Sequence, residues 1–281
     1  MNFESAQQGT KMRATTSTTI AIAAGLAVVL MGLSATAVAD DGPQTAEEII
    51  EEAVDRNALG FEAGRAQISL TVFDEAGEQR ERHLDVRSRR HDEREDESRT
   101  VMTLSDPAEV RGQAFLFHQN ADGDDDMWMY VPAFEVTRRV EGEQRRSSFL
   151  GTHFTYADLE SRDLREADYE MQDDERVGDY DVHVIEATPE DPEESDYEKV
   201  VAYIRQDDQI PIRIRFFDRD GDLDKTLYTE QLATTGDDDV TYIERMTLRS
   251  ESGGYTTVEI QELDPDVDIP DSAFDREELG R

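Results

Sequence analysis

The side chains best equipped for chemistry in this sequence are acids: Asp and Glu number 67, against 29 Lys and Arg. The most suggestive run, Asp218-x-Asp220-Gly221-Asp222-x-Asp224, spaces its carboxylates like a calcium loop. An EF-hand needs Gly at the sixth position for the sharp turn and a bidentate Glu at the twelfth. Leu223 and Thr229 stand there instead, so the run reads as a hairpin turn with solvated carboxylates, as do 122–126 and 237–239. The five histidines, His83, His91, His118, His153 and His183, show neither an i, i+4 pair nor a zinc-ligand spacing. The sequence has no cysteine, which excludes thiolate metal sites, disulfides, cysteine nucleophiles and an N-terminal lipidated Cys. No Gly-x-Ser-x-Gly, P-loop or dinucleotide-binding glycine pattern occurs. So many acids guarantee chance carboxylate pairs, so a secreted hydrolase stays as a rival, but no pair is singled out. No cofactor is called for.

The formal net charge of -38 repels phosphate backbones and anionic headgroups, which argues against nucleic acid as a partner. Lys11, Lys199 and Lys225 are the only lysines; every other basic residue is arginine. A Lys-poor, acid-rich surface resembles that of proteins from salt-loving organisms, where mobile ions screen carboxylate repulsion.

The elements that must hold any site follow from hydrophobic periodicity. Residues 20–33 form the one long apolar run, preceded by Lys11 and Arg13 and followed by Ala37-Val38-Ala39. That order is a secretory signal peptide over 1–39, cleaved after Ala39, with Met12 as an alternative start. The run is too short for a membrane-spanning helix. All but one of the acids lie beyond it, so the acidity belongs to the exported part, read as one domain over 40–281.

Pro43 to Leu59 predicts an amphipathic helix, with Thr45 and Glu48 as a capping box and Ile49, Ile50, Ala53 and Val54 on one face. From Ala66 the period becomes two. Alternating segments recur at 66–73, 80–89, 100–104, 113–118, 127–131, 134–140, 168–172, 180–187, 198–205, 211–218, 225–233, 240–249 and 255–262. Glu75-Ala76-Gly77, Asp122-Gly123, Glu141-Gly142, Asp220-Gly221 and Ser252-Gly253-Gly254 separate many of them, as hairpin connections do. The expectation is a mainly β fold: one large curled antiparallel sheet of about 11–13 strands, a half-open β-barrel, with a few short α-helices covering an apolar concave face. Such a face has room for an apolar ligand.

Aromatic residues concentrate between 115 and 156: Phe115, Phe117, Trp128, Tyr130, Phe134, Phe149, Phe154 and Tyr156. They are the cavity-lining candidates, with ordinary core packing as the competing reading for each. Arg138 and Arg139, at a strand end near Gly142, are candidates for gripping a lipid headgroup or a partner carboxylate bidentately; the competing reading is a cross-strand ion pair.

The same region carries Trp128-Met129-Tyr130-Val131-Pro132-Ala133, the Arg138-Arg139 pair and Phe149-Leu150-Gly151-Thr152-His153-Phe154-Thr155-Tyr156-Ala157-Asp158-Leu159. This pattern resembles the outer membrane lipoprotein-sorting protein family, relatives of the periplasmic carrier LolA, with their W-x-Y-x-P-A, Arg-Arg and F-x-G-S-D-F-T-Y-x-D-L. Asp106-Pro107, Gly112 to Leu116, Ala187-Thr188-Pro189, 211–219 and Pro270 to Leu279 extend the likeness over essentially the whole exported part. One departure is the replacement of the family's Ser-Asp by Thr152-His153. The resemblance implies a half-open barrel whose hydrophobic cavity carries an acyl chain through the periplasm.

The sequence thus points to a monomeric, non-enzymatic periplasmic carrier for the acyl chain of a lipid or lipoprotein, meeting an inner-membrane transporter or an outer-membrane receptor. An accessory subunit of a transporter of the resistance-nodulation-division type, which the resemblance also implies, is the alternative.

Overall fold

Period-two alternation leaves each strand one dry face, and antiparallel pairing through tight turns stacks those faces side by side. The computed structural model describes residues 44–55, 63–91, 94–120, 125–159, 167–193, 195–235, 240–265 and 267–280. The signal-peptide reading, its cleavage position and the turns at 122–123 and 237–239 lie outside them.

Among the described residues fourteen strands form a single sheet, antiparallel throughout: β1 (Ala63–Phe73), β2 (Gln79–His91), β3 (Arg94–Asp106), β4 (Ala114–Gln119), β5 (Asp126–Val131), β6 (Val136–Arg139), β7 (Ala167–Met171), β8 (Glu175–Val177), β9 (Tyr180–Pro189), β10 (Tyr197–Arg205), β11 (Pro211–Asp218), β12 (Leu223–Thr235), β13 (Val240–Ser250) and β14 (Tyr255–Pro265). All thirteen segments expected from alternation are strands over all or most of their length, although the first two residues of 134–140 differ. Phe134 ends a 3-10 turn begun by Pro132, and Glu135 takes a left-handed conformation before β6 starts. The extra strand, β8, has three residues, too few for alternation to declare itself.

The spatial order is β6-β5-β4-β3-β2-β1-β14-β13-β12-β11-β10-β9-β7, with β8 beside β9. The sheet is curled but not closed. Register shifts in β1, β2, β10, β11 and β12 are the local irregularities that raise twist and let a broad sheet bend.

The expectation of several covering helices is replaced by one α-helix among the described residues, α1 (Ala46–Asp55). Its capping box forms as read: the Thr45 amide donates to Glu48 Oε2 at 2.7 Å and the Glu48 amide to Thr45 Oγ1 at 3.2 Å. Ile49 and Ile50 are buried against Ile185, Ala202 and Ile204 at one end of the sheet. The rest of the concave face is covered by chain that is mostly turns.

The main core lies on the concave face. It runs from Ile68 and Leu70 of β1 through Leu84, Met102, Phe115 and Met127 on one side, and through Val258, Met246, Leu227 and Ile214 on the other. A second cluster backs the convex face, where the C-terminal residues Ile269, Phe274 and Leu279 pack on Val101, Ala114 and Leu116. Gly280 closes that contact. Its φ is +87°, and a Cβ there would stand 2.2 Å from the Tyr130 ring, so only glycine fits.

Candidate functional site

Topology alone builds the site. β6 and β7 are opposite edges of the sheet, yet they are consecutive in the chain, so the connection between them has to cross the open side. Its described part, residues 140–159, forms a strap over the concave face.

The strap leaves β6 through the Val140 amide, which donates to the Met127 carbonyl at 2.8 Å. Arg146 then reaches Asp196, just before β10, with Nε donating to Oδ1 at 2.5 Å. A tight loop follows. Ser148 bridges Thr155, and the Phe149 amide donates to the Phe154 carbonyl at 2.7 Å. Leu150 and Gly151 take left-handed conformations at its tip. The loop drives Phe149 and Phe154 into the concave core, where Phe149 meets Phe115 edge-on at 5.0 Å and Tyr156 at 5.4 Å.

Beneath the strap lies a cavity of about 40 Å³, lined by Ile68 and Leu70 of β1, Leu84 and Val86 of β2, Met102, Met246, Val258 and the strap residues Phe149, Phe154 and Leu159. Every lining residue is apolar, so the space is dry by nature.

Two anchors pin the strap beyond the loop. At the tip, Thr256 accepts from the His153 amide at 3.0 Å, and its hydroxyl lies 2.9 Å from His153 Nδ1. Thr152 Oγ1 donates to the Phe149 carbonyl at 2.6 Å. In the Thr152-His153 departure from the family pattern, His153 thus clips the strap to the start of β14 while Thr152 bonds within the strap. Gly254 makes room for it: its φ is +79°, and a Cβ there would stand 2.5 Å from the Phe73 carbonyl oxygen and 2.7 Å from His153 Nε2. Burial holds the His153 imidazole below its ordinary pKa, with Lys225 and Arg80 adding to the effect.

The second anchor is a buried ion pair. Asp158 and Thr155 cap a 3-10 turn reciprocally, with amide to side-chain distances of 2.7 and 3.1 Å. The remaining capacity of the carboxylate accepts Lys225 Nζ at 2.6 Å and Tyr197 Oη at 2.5 Å. The side chains of Lys225 and Asp158 are 4% and 1% exposed, and the ammonium also faces the Tyr197 and Phe216 rings. Sequence reasoning missed this trio. The available signal was Lys225 itself, a lysine kept in a chain that uses arginine nearly everywhere else, as suits a compact point charge in a tight site.

Of the eight aromatic candidates, Phe149 and Phe154 border the cavity, and Phe115 and Tyr156 pack in the same buried core, with Phe117 partly buried against it. Trp128 and Tyr130 face the other way. The register pairs Leu116 with Trp128 and Ala114 with Tyr130, and directly opposed residues share a face, so both rings lie on the convex side with the C-terminal segment. Met127 and Met129 take the concave positions in their stead. Phe134 is 69% exposed. Arg139 pairs with Asp126 and Glu141, the cross-strand alternative, whereas Arg138 is exposed on the edge strand β6.

The calcium-like run is a turn: Asp218 Oδ1 accepts the Asp220 and Asp222 amides at 3.0 Å each. Among the described residues no group of three or more metal-ligating side chains comes together.

An open antiparallel sheet, a crossing strap and a dry concave core make up a LolA-like fold. The chain belongs to a family whose profile, described as an uncharacterized protein, matches residues 96–281, more than half of its length. Its structure is similar to an outer membrane lipoprotein-sorting protein domain from Vibrio parahaemolyticus, at 26% identity and a TM-score of 0.76, covering 84% of this chain and 98% of that one. A DUF1329 family protein from Desulfovibrio piger (22% identity, TM-score 0.75, covering 84% and 100%) and a LolA superfamily protein from Nitrosomonas europaea (20%, 0.65, covering 84% and 100%) share the fold. No curated protein matches the chain in sequence.

Proposed function

We propose that the protein is a non-enzymatic periplasmic carrier that holds the acyl chain of a lipid or lipoprotein on the concave face of its sheet. The observation that carries this reading is the wholly apolar cavity beneath a strap that topology obliges to cross it. The fold shared with a lipoprotein-sorting domain supports it.

A cavity of about 40 Å³ holds only a few water-sized volumes, so a long chain enters by displacing the strap. Phe149, Phe154, Tyr156 and Leu159 are each buried, at roughly 1.5–3 kcal/mol apiece, or about 6–12 kcal/mol together. An acyl chain returns about 0.8 kcal/mol per methylene, so the exchange balances at about 8–15 methylenes. The carrier therefore favours long chains.

Mass spectrometry of lipids that copurify with the exported form tests this directly. Retained molecules with long acyl chains are expected, and a preparation that never retains one sinks the carrier reading.

The accessory-subunit reading draws support from Phe134 and Arg138. Both are exposed at the free edge of the sheet, where a transporter or receptor can dock. Stoichiometric recovery of an inner-membrane permease in a pulldown supports it, provided that the recovery falls in a variant carrying Phe134→Ser and Arg138→Gln.

A further inference from the structure

Among the described residues one inward-facing cation is left over by the fold. Strand β2 places residues 80, 82, 84 and 86 on the same face, because successive side chains alternate. Leu84 and Val86 line the cavity. Arg82 is paired in register with Leu70, which is paired in turn with Val258, and both of these also line it. Arg80 follows one step further out, in register with Val72. The apolar floor thus ends at Arg82 beneath the strap loop, where its Nη2 lies 3.9 Å from the position a Cβ would take on Gly151, with Arg80 exposed beyond it.

Arg80 has Asp74 at 3.9 Å. Arg82 Nε is buried with no acceptor, in a chain with 67 acidic side chains. A half-buried guanidinium without a carboxylate is costly, and folds that tolerate such a cost tend to do so at functional positions. Burial, with Arg80 second, lowers the pKa of Arg82, which marks a cation short of counter-charge.

Resting on the carrier reading, we infer that Arg82, backed by Arg80, binds the anionic headgroup, carboxylate or phosphate, of an amphiphile whose acyl tail lies in the cavity. A guanidinium suits either group because its paired N–H donors match two oxygens at once. This narrows the cargo to a free anionic lipid, since the acylated cysteine of a lipoprotein carries no such group beside its chains.

The test is calorimetric titration of the exported form with myristate, with uncharged monomyristoyl glycerol, and with inorganic phosphate or acetate alone. Myristate is expected to bind at least about tenfold more tightly than the neutral lipid, as a charge-assisted pair predicts. Arg82→Gln is expected to erase that preference while leaving monomyristoyl glycerol within about twofold and the melting temperature unchanged or raised. Arg87→Gln, on the exposed outer face, serves as the neutral control. Equal binding of both lipids by the unaltered protein overturns the headgroup site alone, as does an Arg82→Gln variant that weakens both equally or unfolds. Saturation by phosphate or acetate at millimolar concentration overturns the headgroup source in favour of a free-anion site. Binding of neither lipid removes the carrier reading as well.

Discussion

Replacing Lys225 by Met tests whether the strap is held by a buried charge. The methionine keeps most of the aliphatic stem but removes the ammonium 2.6 Å from Asp158. Breaking one side of a buried pair costs about 3–5 kcal/mol, because the surviving charge is stranded. Asp158 still accepts from Tyr197 and from the Thr155 amide, which places the loss near the lower end, about 3 kcal/mol. At roughly 2–4 °C per kcal/mol for a chain of this size, the melting temperature falls by about 6–12 °C. Scanning calorimetry reads it.

The complementary variant, Asp158→Leu with Tyr197→Phe and Lys225→Met, removes the whole polar cluster, and most of the loss is expected to return, since apolar packing replaces a buried pair at little or no cost. Asp158→Leu with Lys225→Met alone recovers less, because the Tyr197 hydroxyl is then left unsatisfied at about 1–3 kcal/mol. A Lys225→Met melting temperature within about 3 °C of the parent, equivalent to about 1 kcal/mol, refutes the reasoning. The loss is also expected to persist in 1 M salt, because a buried pair is little screened.

Three further outcomes are expected. Phe154→Ala deletes a lining side chain, lowering stability by about 3–5 kcal/mol in urea titration while shifting acyl binding toward shorter chains in calorimetry; an unchanged chain-length profile counts against the strap as gate. His118 and His153 are both held below the ordinary imidazole pKa of 6.5 by burial, so below that pH the unfolded chain binds more protons than the folded one. Their contribution is complete above pH 6.5 and is lost as pH falls below it, and a variant with His118→Gln and His153→Asn is expected to lose less stability than the parent between pH 6.5 and 5. The melting temperature is expected to rise between 0.1 and 1 M NaCl, as the screening length falls from about 10 to about 3 Å around a chain of net charge -38; a flat or falling curve overturns the reading of the surface as a salt-adapted one.

The strands were legible because alternation is a local signal. Ile68 and Leu70 against Gln67 and Ser69 declare their face without reference to any partner. The sidedness of Trp128 was not legible, since Met127-Trp128-Met129-Tyr130 is apolar on both faces. The convex side of β5 is dry only because residues some 140 positions later fold back over it. The cover of the concave face was illegible for a similar reason: only the opposed edges β6 and β7 turn an irregular stretch into a strap. Asp158 stood within the quoted family motif and Lys225 among three lysines, but nothing in either local sequence joins positions 67 residues apart.

The middle of the sheet lies where β1 meets β14 and Leu70 pairs with Val258. Every other strand contact in the ladder joins neighbours in the chain, apart from that of β7 with β9. A polypeptide emerging N-terminus first can therefore form two separate meanders early, but neither can be sewn to the other until the last strand has appeared. Closing so long a loop is the slow step in such topologies. A late seam of this kind leaves the two halves of the sheet unjoined for nearly the whole of the chain's synthesis.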